Sequence, residues 1–185
     1  MPRPVKLYRG FFPDERLGIF IDGANVNYTV RDLGFQIDID RLLEFFQAQS
    51  DTPITSYYFA ATDKERPKHD AFLRLVQRKG FTLVSKEMRR FRNDDGSTSI
   101  KANMDIELTL AMVREAPKLD HIVLFSGDGD FVALVEEVQK SFGVPVTLIA
   151  SHGRDTAMIL RDVAQRFISL EKLKPFICRR SSKAR

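Results

Sequence analysis

The sequence predicts an α/β fold: a central, mainly parallel sheet of five to six strands with helices on both faces. Three observations carry that expectation. Short apolar runs of strand length recur at 17–21, 54–60, 81–85, 121–125 and 145–149, with a further short run at 167–170. The stretches between them place apolar residues at helical spacing. The alternation persists through nearly the whole chain, as parallel strands joined by right-handed crossovers require.

Each element has a local reason. Residues 1–16 hold three prolines and four basic residues without periodicity, and are expected to form an extended lead-in. The run LGIFI at 17–21 reads as strand one. It ends at Asp22, Gly23, Ala24 and Asn25, a tight turn in which Asn25 is placed to cap the next helix. A second helix is marked by Ile39, Leu42, Leu43 and Phe46. After Pro53, ITSYYFA at 54–60 is rich in β-formers and gives strand two. Ala71, Phe72, Leu75 and Val76 line a helix over 68–79 that Gly80 stops, and FTLVS at 81–85 is strand three. Residues 86–100, with Lys86, Arg89, Arg90 and Arg92 ahead of NDDGSTS, predict an excursion outside the core, either hairpin-like or mobile. A helix over 104–115 leads through Pro117 to strand four, HIVLF at 121–125. The helix over 131–142 ends at Gly143, PVTLI at 145–149 is strand five, and a last helix is expected over 154–166.

With 43% hydrophobic and 29% charged residues the chain is globular, and one domain over 17–170 is long enough to bury a substantial core. No apolar run approaches the ~20 residues that span a membrane. The amino terminus lacks the hydrophobic segment of a signal peptide. The lone Cys178 excludes an internal disulfide and a thiolate metal cluster. A soluble, cytoplasmic protein is expected. Of the 29 basic and 25 acidic residues, 171–185 hold six and one, leaving 23 and 24 elsewhere. The basic character is thus mostly a C-terminal tail, either a solvated end or a nucleic-acid contact.

The chemistry concentrates where strands hand over to helices. Strand four is followed by SGDGDF at 126–131, so Asp128 and Asp130 lie at a strand's carboxyl end, as Asp22 does after strand one. Such ends are where open α/β sheets bind ligands. Asp105 heads a helical row with Leu108 and Met112, which places a carboxylate at the start of an inward-facing stripe. Each residue also has a plainer reading: Asp22 and Asp128 as turn residues, Asn103 or Asp105 as helix-terminal groups, Asp130 as an N-cap. Convergence of three segments on one crevice favours a site. None of these segments offers a His or Cys, so an all-oxygen site points to Mg²⁺ or Mn²⁺. Ser126 and the Gly127 and Gly129 amides are placed to position a phosphate or water.

The blocks FIDGANVN at 20–27, KANMDIEL at 101–108 and VLFSGDGDF at 123–131 resemble the signature blocks of NYN domains, nearest to their bacterial LabA-like branch. The similarity spans 17–170. It implies a PIN-like, Rossmann-like three-layer fold and a metal-dependent ribonuclease site. On this resemblance Asp22, Asp105 and Asp128 bind metal, with Asp130 and Asn25 in support. Family members often carry a further Asp six residues after the position of Asp105, where this chain has Ala111.

For substrate contact, Arg89, Arg90 and Arg92 on the excursion can hold a phosphate backbone, with Lys101 nearer the carboxylates and Arg154 near the end of strand five; the alternative is a solvated basic loop. Tyr28 and Phe91 are either stacking platforms for bases or packing residues. RNA is the expected partner and a membrane is not; a homodimer or a regulatory protein partner stays open. Three functions compete: a Mg²⁺- or Mn²⁺-dependent ribonuclease, a non-catalytic RNA-binding or regulatory adaptor motivated by Ala111, and a small-molecule phosphatase. The last lacks a second Asp two residues after Asp22 to serve covalent phosphoryl transfer.

Overall fold

The computed structural model describes residues 14–63, 65–92, 98–101, 103–153 and 156–179, with backbone alone at 89–92 and 98–101. It is a three-layer α/β fold. Six strands form one all-parallel sheet in the order β3-β2-β1-β6-β7-β8: β1 (Leu17–Asp22), β2 (Thr55–Thr62), β3 (Thr82–Glu87), β6 (His121–Phe125), β7 (Val146–Ala150) and β8 (Arg166–Ser169). β4 (Arg89–Arg92) and β5 (Thr98–Lys101) pair antiparallel as a separate hairpin, one of the two forms expected of the 86–100 excursion. Three of the four inner strands, β1, β6 and β7, are buried along their whole length, which is why their sequences read as unbroken apolar runs.

Successive side chains along a strand point to opposite faces, so each run feeds two cores. Leu17, Ile19, Ile21, Val123, Phe125 and Ile149 face α1 (Gly23–Asp32), α2 (Ile39–Gln47), α3 (Pro67–Arg78) and α7 (Leu170–Ile177). Phe20, Ile122, Leu124, Val146 and Leu148 face α4 (Asp105–Glu115), α5 (Val132–Phe142) and α6 (Met158–Val163). The glycines expected to stop α3 and α5 both adopt left-handed backbone, Gly80 at φ 101° and Gly143 at φ 67°.

Two sequence expectations are corrected. The last helix, expected over 154–166, is the short α6, and residues 166–169 are already β8. The Gln139 side chain on α5 accounts for the break: its Nε2 donates to Val163 O (2.8 Å) and its Oε1 accepts from Gln165 N (3.1 Å). Residues 171–177, read from charge as tail, belong to α7. Leu170, Leu173 and Ile177 are no more than 1% exposed, Arg179 N donates to Gln36 O (2.8 Å), and Arg41 donates to the carbonyl oxygens of Pro175 and Cys178. Residues 1–13 of the lead-in and 180–185 of the tail lie outside the described residues.

A chain ending at Ser169 should therefore fail to fold. Three fully buried Leu/Ile side chains are worth about 1.5–3 kcal/mol each, against a total stability of about 5–15 kcal/mol. Loss of the cooperative thermal transition is the expected result, and an unchanged transition would mean that α7 is dispensable.

At the amino-terminal edge of the sheet, His121 is buried with Nε2 2.8 Å from Thr147 Oγ1. Burial, with Arg166 adding repulsion, lowers its pKa from 6.5 to about 4. Glu15 Oε2 lies 3.4 Å from His121 Nδ1 but is a weak counter-ion, because its own pKa is raised by burial and by Asp120. The folded state thus holds His121 neutral where the unfolded chain takes a proton. Its contribution is complete above pH 6.5 and is lost as pH falls towards 4. Allowing for partial solvation, about 2 kcal/mol should disappear across that window. Melting temperatures at pH 7 and pH 4.5 should fall further for the wild type than for His121→Gln.

Candidate metal centre

β1 is the first strand of the chain and β6 is its neighbour on the opposite side from β2. The strand order reverses between them, at the position where open α/β sheets bind ligands beyond the carboxyl ends. The register pairs Ile21 with Phe125, so Asp22 and Ser126 leave the sheet side by side.

Asp22, and not Asn25, caps α1: its Oδ1 accepts from Asn25 N (3.1 Å). A side chain at the carboxyl end of β1 can turn back on the helix that starts at the next residue, which frees Asn25 for another task. Asn25 Oδ1 accepts from Gly127 N (2.9 Å) and so ties α1 to the loop after β6. Ser126 is fully buried, donates through Oγ to Asp22 Oδ2 (3.1 Å) and accepts from Asp128 N (3.2 Å). One hydroxyl therefore sets the spacing of two acids. Asp128 caps the short 3₁₀ turn Gly129–Phe131 through Asp130 N (3.0 Å), the capping role the sequence suggested for Asp130. At the start of α4, Asn103 Oδ1 accepts from Asp105 N (2.7 Å) and its Nδ2 donates to Asp105 Oδ2 (2.5 Å), which aims that carboxylate.

These supports bring Asp105, Asp128 and Asp130 together, one ligand oxygen from each lying within 4.8 Å of the others. Asp105 and Asp128 are half-buried and Asp130 is exposed, so the group sits at a rim open to solvent. Asp22 is not in that trio; it lies deeper, with both carboxylate oxygens engaged by the protein. Burial raises its pKa most, partly offset by the bonds from Asn25 and Ser126, and the charges of Asp105 and Asp128 raise it further. Among the described residues, no Lys or Arg forms an ion pair with the trio. Lys86, on the neighbouring rim, is held by Glu107 (3.0 Å). Three carboxylates without an internal cation, offering only oxygen, fit a hard divalent ion such as Mg²⁺ or Mn²⁺.

The remaining sequence candidates are spread more widely. Lys101 ends β5, four residues before Asp105, while Arg89, Arg90 and Arg92 lie along β4; their side chains fall outside the described part of the structure, as does that of Phe91. Arg154 also lies outside the described residues. Tyr28 is 56% exposed on α1 with Arg31 over its ring at 5.8 Å, a rim position rather than a core one. Ala111 is buried in the apolar cluster with Leu108 and Met112. The sequence reading missed Asp63, a buried acid just past β2 that pairs with Arg66 (3.4 Å) and accepts from Glu65 N (3.0 Å). Its position at a strand's carboxyl end was the available signal, and its bonds close a turn. Among the described residues, no helix is long and apolar enough to cross a membrane.

Comparison with known proteins agrees with this architecture. The profile of the NYN domain matches residues 16–171. The chain is 30% identical over 168 residues to the Low amplitude and bright protein LabA of Synechococcus elongatus, covering 90% of this chain and 89% of the relative. A crystal structure of VPA0982, a protein of unknown function from Vibrio parahaemolyticus, superposes with a TM-score of 0.72 at 27% identity, covering 90% of this chain and 97% of the other. The profile match over nearly the whole fold and the LabA similarity over the same length together place this chain in the NYN domain family, a group of PIN-like nucleases.

Proposed function

We propose that this protein is a metal-dependent ribonuclease that hydrolyses RNA phosphodiesters at the acidic rim, with Asp105, Asp128 and Asp130 holding Mg²⁺ or Mn²⁺ and Asp22 beneath them. One observation carries the reading: three carboxylates converge within 4.8 Å at the point where the strand order reverses. Held by these carboxylates, a divalent ion would supply a bound water of lowered pKa and positive charge against a phosphoryl oxygen. The chain's own part is positional. Asn103 aims Asp105, Ser126 fixes Asp22 relative to Asp128, and Asn25 pins the loop that carries both Asp128 and Asp130. The basic sequence of the β4–β5 hairpin, rooted between β3 and α4, supports a polyanionic substrate, with Arg89, Arg90, Arg92 and Lys101 as backbone contacts and Arg154 as another.

Ala111 favours a second reading. Its buried methyl stands where family members often carry a further acid, as an RNA-binding adaptor with a reduced site would have. A phosphatase using Asp22 as nucleophile has no such support, because both Asp22 oxygens are held in hydrogen bonds. The test is cleavage of labelled RNA by wild-type protein in Mn²⁺ and in EDTA. Cleavage confined to Mn²⁺ is expected. RNA retained intact in saturating Mn²⁺ would replace the ribonuclease with the adaptor.

A further inference from the structure

We propose that Arg161 forms a stacking platform for one nucleobase of a single-stranded RNA, next to the acidic centre; the inference rests on the ribonuclease reading and specifies its substrate as unpaired RNA. The Arg161 guanidinium lies over the Phe167 ring at 4.2 Å, and that ring is held edge-on by His152 at 5.2 Å and 75°. Among the described residues Arg161 has no carboxylate partner within ion-pair distance, so its position is set by the ring beneath it and not by a charge. Arg161 is only half-buried, and a guanidinium placed over an aromatic ring can offer its other side to unpaired RNA bases, which stack on such planes.

The surroundings narrow the occupant. Met158, Arg161, Asp162 and Phe167 line a shallow cleft of about 200 Å³, below the size of ordinary small-molecule pockets. Asp162 in that lining disfavours a phosphate and is indifferent to a neutral base. Met158, 75% exposed at the start of α6, adds apolar surface to the cleft. A base paired in a duplex has its faces already stacked, which leaves single-stranded RNA.

Position links the platform to the trio. Ala157 N donates to Gly127 O (3.0 Å), and Ala157 Cβ lies 3.0 Å from where a Cβ on Gly129 would fall. Arg161 follows four residues later on the same helical face, with its N–H bonded to Ala157 O (3.3 Å). The platform therefore starts one turn, about 6 Å, from the residue that touches the Asp128 loop.

The experiment measures equilibrium binding of the full chain, in EDTA, to a short single-stranded RNA and to an abasic ribose-phosphate strand of the same length. Wild type should prefer the RNA by about tenfold or more, the range expected of base stacking. Arg161→Lys keeps the charge and loses the plane, so it should bind the abasic strand as wild type does while losing at least about fivefold of that preference. An undiminished preference in Arg161→Lys overturns the platform and leaves the ribonuclease reading intact. Equal weakening on both strands also overturns it, because it makes Arg161 a phosphate contact. Failure of the wild type to bind either strand, both in EDTA and with Ca²⁺ in its place, removes both the platform and the RNA substrate.

Discussion

Asp128→Asn is expected to reduce Mn²⁺-dependent RNA cleavage by at least about 100-fold while leaving the fold intact. An ion's stabilisation of transition-state charge is worth several kcal/mol, and each 1.36 kcal/mol is a factor of about ten in rate. Asparagine retains an oxygen to accept from Asp130 N, the bond that closes the 3₁₀ turn at 3.0 Å, and the Ser126 contact to the backbone at 128 is untouched. What it removes is one of three negative charges crowded within 4.8 Å. Without metal those charges repel, so the variant should melt at the wild-type temperature or slightly above it. Lost activity together with an undiminished melting temperature separates a ligand from a structural cap. Wild-type cleavage by the variant would mean that Asp128 only shapes the turn.

Gly23→Ala is expected to destabilise the fold strongly. Gly23 opens α1 directly after Asp22, where the helix start lies against β2. An added Cβ would fall 2.6 Å from the backbone oxygen of Phe59 and 3.0 Å from Tyr58 Cζ. Neither can retreat. Phe59 O is sheet backbone, and the Tyr58 ring is buried with Asn27 on its hydroxyl (3.2 Å) and Phe72 and Phe81 against its edges and face at 5.9 and 6.3 Å. α1 must lift away, carrying the Asp22 and Asn25 contacts with it. Overpacking of this kind costs about 3 kcal/mol, which at this chain length lowers the melting temperature by roughly 10 °C. Cleavage should fall with it. An unchanged melting temperature would mean that α1 has slack at its start.

Much of this was legible in the sequence because inner parallel strands are buried on both faces. LGIFI and HIVLF have no polar residue to spare, apart from the buried His121, and so announce themselves. The acids were legible because their strands end on them. Cap assignments were not, since a turn such as Asp22-Gly23-Ala24-Asn25 offers two capping side chains, and tertiary demand from Gly127 decides which one is released. Likewise Asp128, and not Asp130, proved to be the cap, because the turn is 3₁₀ and not the first turn of α5. α7 was hidden by charge: Lys172, Lys174 and the internal Pro175 suggested a tail, although Leu170, Leu173 and Ile177 already had helical spacing. The Arg161–Phe167 stack joins α6 to β8, and local pattern does not reveal contacts between separate elements.

The acidic rim itself is most directly tested by calorimetric titration of the full chain with Mn²⁺, comparing wild type with Asp128→Asn. Saturable binding by the wild type, absent or at least about tenfold weaker in the variant, is the expected result, since a metal site that loses one of its carboxylates loses charge and a ligand together. Wild-type protein that takes up no Mn²⁺, or a variant that binds it equally well, would contradict the assignment of Asp105, Asp128 and Asp130 as a metal centre.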